Sequence, residues 1–124
     1  MRPFSLELLK EKSLIAQPCE AFDSLCYLAE MTADEQDRRM SVPWLARKKK
    51  LGQGDDDNSG FRAWMVAACL CDANRKFMAE TVADINSLAD SLAAANSREV
   101  TKLATIAAQV NGVGEVAVVE LEKN

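Results

Sequence analysis

The sequence predicts a mainly α, small single-domain helical fold over residues 1–124, with room for a short N-terminal β element. Three observations predict it. Val100, Leu103, Ala104, Ala107 and Val110 recur at the three- and four-residue spacing of one helix face. Helix-start signals stand at Thr32, Thr81 and Asn96. A chain of 124 residues, 48% hydrophobic and 27% charged, has the size and balance of one ordinary globular domain.

The elements follow in order. Phe4, Leu8 and Ile15 lie on one helical stripe, which Leu6, Leu9 and Leu14 blur, and Pro18 ends that segment. Leu25-Cys26-Tyr27-Leu28 is short and apolar, suited to a small strand or a buried extended segment. Thr32 and Glu35 have capping-box spacing, and Asp34 and Glu35 suit the positive end of a helix dipole. That helix is expected to reach about Met40. Ser41 is the expected cap of the next helix and Pro43 fits its first turn. It leads through Trp44, Leu45 and Ala46 to Arg47-Lys48-Lys49-Lys50, where positive charge meets the negative helix end.

The stretch Gly52–Gly60 holds three of the five glycines and three consecutive aspartates. It has no apolar face to bury and is expected to be a mobile loop at about 52–60. Ser59 can cap a helix running from Phe61 through Cys71, in which only Arg62 is charged. A helix apolar on nearly every side belongs in the middle of a fold or in an interface. Asp72-Ala73-Asn74-Arg75 reads as a turn, with Asn74 the residue suited to a left-handed conformation. Thr81 caps a helix whose inner face is Val82, Ile85, Leu88, Ala89 and Leu92. Asn96 and Glu99 open the last clear helix, which ends at Asn111-Gly112 with glycine placed for a left-handed C-cap. Beyond Gly114, the β-branched run Glu115–Asn124 suits a strand or a terminal helix, and the helical surroundings favour the helix.

Composition narrows the chemistry. Fifteen basic and nineteen acidic residues give a net charge of −4, which argues against general nucleic-acid binding. The sequence contains no histidine, so the commonest general base and the usual nucleophile pairs are missing. No catalytic carboxylate pair is legible, and a non-enzymatic role with no cofactor is expected. No run is apolar enough for a membrane span, and charges break up the N-terminal segment, so neither membrane nor secretion is expected. The default compartment is a cytoplasm.

Cys19, Cys26, Cys69 and Cys71 lack the paired spacing of a four-cysteine zinc site and read as reduced structural thiols. On a shared helix, Cys69 and Cys71 would point about 200° apart. Asp55-x-Asp57-x-Ser59-Gly60 opens like a calcium loop, but its twelfth position is Val66, where a carboxylate is needed. The Gly52–Gly54 glycines precede aspartates, which would repel phosphate. Arg38, Arg39 and Arg47–Lys50 can form a basic patch, although solvated helix ends are the favoured reading.

Two apolar surfaces remain. Trp44, Leu45 and Trp64 are candidates for self-association, with core packing the competing reading for Trp64. Val116, Val118, Val119 and Leu121 are candidates for binding a client, with core or self-assembly contact competing. Surplus apolar area on a short chain points to a partner.

The order of the elements carries a resemblance. Residues 25–38 lead from an apolar segment into a polar helix start. A Gly/Asp-rich loop follows, then the Arg62–Phe77 helix and turn, then Val82–Ala89 and a helix closing on Asn111-Gly112. Over roughly residues 25–124 this resembles the tail assembly chaperones of long-tailed, siphovirus-type bacteriophages. It departs from the commoner pattern at Arg75, where glycine would stand. The resemblance implies a helical, self-associating, non-enzymatic protein acting in the host cytoplasm and absent from the mature virion. Its implied partners are the tape measure protein, which it would keep soluble, and the tail tube protein, which it would help recruit. In many of these phages a ribosomal frameshift also yields a longer form, to which this chain would be the short counterpart. The competing expectations are a small neck or tail-completion subunit retained in the virion, and an adaptor that binds a host protein.

Overall fold

The structure, a computed structural model, describes residues 2–11 and 13–112. A one-turn helix α1 (Leu8–Glu11) precedes the antiparallel strands β1 (Ala16–Ala21) and β2 (Ser24–Ala29). A short helix α2 (Ala33–Gln36), a π-helical turn (Asp37–Ser41) and α3 (Val42–Lys50) then run on as one rod. After the 52–60 loop come α4 (Phe61–Cys69), a two-residue strand β3 (Leu70–Cys71), α5 (Val82–Ala93) and α6 (Ser97–Val110). The fold is thus mainly helical with a short N-terminal antiparallel sheet of order β1-β2-β3.

The second strand occupies the Leu25–Leu28 segment expected to be extended. Its partner β1 replaces the helical stripe expected to continue to Ile15, and Pro18 lies inside that strand. Pro18 is tolerated because β1 is an edge strand, where a missing N–H removes no ladder bond on the open side. Phe22 and Asp23 both have positive φ, 56° and 53°, as a tight two-residue hairpin requires. Neither is the Asn or Gly that normally signals such a turn.

Thr32 and Thr81 make the expected capping boxes, with Glu35 and Asp84 reaching back. Asn96 accepts from the N–H groups of Arg98 and Glu99. Gly112 is left-handed, as expected, at the end of α6. Three expected details are corrected. Ser41 does not cap a new helix, because its backbone is helical and the rod passes through it. Ser59 does not cap α4; Gly60 does so at φ 86°, because the chain enters from a left-handed turn. The left-handed residue of the 72–75 turn is Arg75 at φ 66°, not Asn74.

The most apolar helix is central, as its composition requires. Residues Ala63 to Cys69 are all buried, and α4 packs against α5 and α6. Helix α6 also covers β1 and β2, and turns its Val100, Leu103, Ala104 and Ala107 face inward. Its last turn is clamped by Asn111, whose amide oxygen accepts from Met31 N–H at 2.8 Å and whose nitrogen donates to Ala29 O at 3.0 Å. The helix expected through Cys71 stops at Cys69, so Cys69 and Cys71 do not share a helix.

Candidate functional site

The π-helical turn organises the surface that matters most. Pro43 has no N–H for the carbonyl of Arg39, and its ring crowds that carbonyl. The rod widens there, so the Val42 N–H bonds five residues back to Asp37 O. The carbonyl of Met40 instead accepts the indole N–H of Trp64 at 3.1 Å. Widening turns Arg39 into the protein and leaves Val42 on the surface, 64% exposed.

Arg39 is buried beside the end of α4. Its Nε and Nη2 donate to Ala68 O at 3.1 and 3.0 Å, and Nη2 also reaches Ala79 O at 2.7 Å. Ala68 is in the last turn of α4, where carbonyls lack helical donors and the dipole is negative. The guanidinium also lies 3.7 Å from the centre of the Phe77 ring. Burial pulls the Arg39 pKa below its usual value, and Cys69 and Glu35 act in the opposite direction. The turn after β3 delivers Phe77 to this place. Asp72 Oδ1 accepts from the N–H groups of Asn74 and Lys76, and Cys71 bridges to Phe77.

Above Arg39 runs a groove of about 700 Å³. Val42, Pro43, Ala46, Phe77, Val82 and Ile85 give it an apolar floor and wall. Leu45, one helical turn from Val42, is 63% exposed, and Met78 beside Phe77 is 66% exposed. The rim carries Glu35, Asp37, Arg38 and Glu80. Arg38 is paired with Asp34 at 2.7 Å, and Glu35 with Arg75. Asp37 and Glu80 are exposed and join no ion pair among the described residues.

The expected self-association residues separate here. Trp64 is fully buried and Trp44 nearly so, with Trp44 edge-on to Phe61 at 5.3 Å between centroids. Both are core residues, because α4 is central and α3 packs Trp44 beside it. Leu45 alone of the three reaches solvent. Val116, Val118, Val119 and Leu121 lie outside the described residues. The basic patch also dissolves, and Arg47 and Lys48 are not a solvated helix end. Arg47 pairs with Asp90 at 2.5 Å and donates to Asn86 at 2.7 Å, joining α3 to α5. Lys48 is buried and donates to Asp55 O at 2.8 Å and Asn58 Oδ1 at 3.2 Å.

A larger hollow of about 890 Å³ lies between β1, α4 and α6, beside Cys19, Arg62, Arg98 and Lys102. Its charges are mutually engaged in part: Lys102 pairs with Glu99, and Arg62 donates to Thr101. Cys19 and Cys26 face each other across β1 and β2 as free thiols. Burial raises the pKa of Cys19 and of Cys71, and pushes that of Cys69 up to about 12. No cluster of three metal-ligating side chains occurs among the described residues. No helix there is long and apolar enough to cross a membrane.

Comparison with protein-family models, curated proteins and solved structures returns no match. The groove was not legible in the sequence, because its walls come from segments near 42, 77 and 82. The one local signal was Pro43, thirteen residues from the glycine loop's far side but directly after a capped helix start.

Proposed function

We propose that this chain is a non-enzymatic, protein-binding assembly factor, and specifically a phage tail assembly chaperone. On this reading it binds and solubilises the tape measure protein in the host cytoplasm, helps recruit tail tube subunits and is left out of the mature virion. The observation that carries the protein-binding part is the apolar groove above the π-helical turn, with Val42, Leu45 and Met78 exposed around it. A patch of this kind on a small acidic chain suits a holder of apolar segments, which needs sticky surface and net charge together. The phage assignment is supported by the resemblance in element order. Self-association through Leu45 and client contact through Val116, Val118, Val119 and Leu121 belong to the same proposal.

Co-expression with the tape measure protein of the same genome tests it. The expected result is a soluble complex holding several copies of this chain per client. An insoluble client and no complex reject the chaperone role. Mass spectrometry of purified particles then decides the alternative, since a neck or tail-completion subunit would be present in fixed copy number.

A further inference from the structure

The groove has a chemical preference as well as an apolar floor, and this rests on the protein-binding reading above. Its exposed apolar side chains stand on two walls, Val42 on α3 and Val82 at the start of α5. An apolar stripe on a partner helix or strand can lie between them and cover both. The ends of the groove are polar and carry Asp37 on one side and Glu80 on the other. Neither carboxylate has a cation of its own among the described residues. The cations nearby are already committed: Arg38 to Asp34, Arg75 to Glu35, and Arg39 to backbone carbonyls beneath Phe77.

We propose that the groove takes an amphipathic protein segment whose apolar residues are flanked by lysine or arginine. Val42, Phe77 and Val82 cover the apolar stripe, and Asp37 and Glu80 pair with the flanking cations. A second copy of this chain is a poorer occupant, because its net charge of −4 adds repulsion at an already acidic rim. The buried Arg39 sets the floor and offers no free donor to an acidic partner, since its N–H groups face Ala68, Ala79 and Glu80 carbonyls. Contacts of the rim type act mainly on association rate and selectivity, while the apolar floor holds the complex.

The test uses the full chain and two synthetic helical peptides with the same leucine stripe, one flanked by lysines and one by glutamates. Binding is read by fluorescence anisotropy at low and high salt. The lysine-flanked peptide should bind about tenfold more tightly than the glutamate-flanked one, and lose that margin as salt rises. V42E should weaken binding about tenfold, and the double change D37K with E80K should reverse the preference. Val42, Asp37 and Glu80 are exposed, so unchanged thermal melting of each variant separates lost binding from lost folding. Binding that ignores flanking charge, or that survives V42E, overturns the inference and leaves the protein-binding reading standing. No binding of either peptide, together with failure to hold the tape measure protein, overturns both.

Discussion

Arg39 shows how one side chain can do the work of a cap. Its guanidinium takes the Ala68 carbonyl at the end of α4 and the Ala79 carbonyl before α5. R39M keeps much of the length and leaves both carbonyls without that donor. We expect a loss of about 2–4 kcal/mol in urea unfolding, at about 1–3 kcal/mol per orphaned group. Arg75 poses the opposite problem, because it sits at φ 66° where a side chain is disfavoured. The Nε donation to Glu30 O at 2.9 Å and the pairing with Glu35 hold it there. Glycine, which the resembling family carries at this point, would take the conformation without strain. Both R75A and R75G lose the contacts, but only R75G relieves the backbone. R75G should therefore be more stable than R75A by about 1 kcal/mol in the same urea assay. Equal stabilities would show that the left-handed turn carries no strain.

At the scale of elements, α4 is the piece around which the others are placed. Trp64 fills its centre and ties the π-helical turn to it through Met40 O. W64A should cost about 3–5 kcal/mol. W64F keeps a ring and loses the indole donor, and should cost about 1–3 kcal/mol. A melting curve unmoved by W64A would contradict the core placement. The 52–60 loop is governed from α3. Lys48 reaches into it from a buried position, and Gln53 Nε2 donates to Asp57 O and Ser59 O at 3.3 and 3.2 Å. The side-chain and backbone hydrogen bonds that Asp57 shares with Ser59 lower its pKa. K48M removes the tie from α3. Limited proteolysis should then cut within residues 52–60 about tenfold faster, as expected for losing charge-assisted bonds worth about 1.5 kcal/mol or more. An unchanged cutting rate would mean that Lys48 does not restrain the loop.

At the scale of the whole molecule, the buried Cys69 thiol links folding to pH. Its pKa is pushed from 9.0 up to about 12, first by burial and then by Cys71, with Arg39 acting the other way. Between those values the unfolded chain releases this proton and the folded chain retains it. The unfolded state therefore binds fewer protons, and stability falls as pH rises through that window, by about 1.4 kcal/mol per unit from this group. Below pH 9 the group contributes no pH dependence. C69A should flatten the decline above pH 9 relative to the unaltered chain, measured by urea unfolding across pH. Identical slopes would show that Cys69 does not ionise differently in the two states.

Local chemistry made much of the fold legible. Thr32, Thr81 and Asn96 announce three helix starts because a side-chain oxygen three residues ahead of an N–H needs no distant partner. The α6 stripe and the centrality of α4 follow from apolar spacing and composition alone. Strand β1 was hidden because Ala16–Ala21 has no β-branched residue and contains Pro18, and because its turn is Phe22-Asp23. Pairing with β2 and cover from α6 decided it. The sequence by itself thus determined a mainly helical single chain with its caps, its central helix and its acidic charge. Only the tertiary structure decided that Arg39 and Lys48 turn inward, that Trp64 is core while Leu45 is surface, and that a groove exists. The physical reason is distance along the chain. A cap or a stripe is settled within a few residues, whereas Arg39 meets Ala68 and Ala79, and Val42 faces Val82, only after the helices have packed.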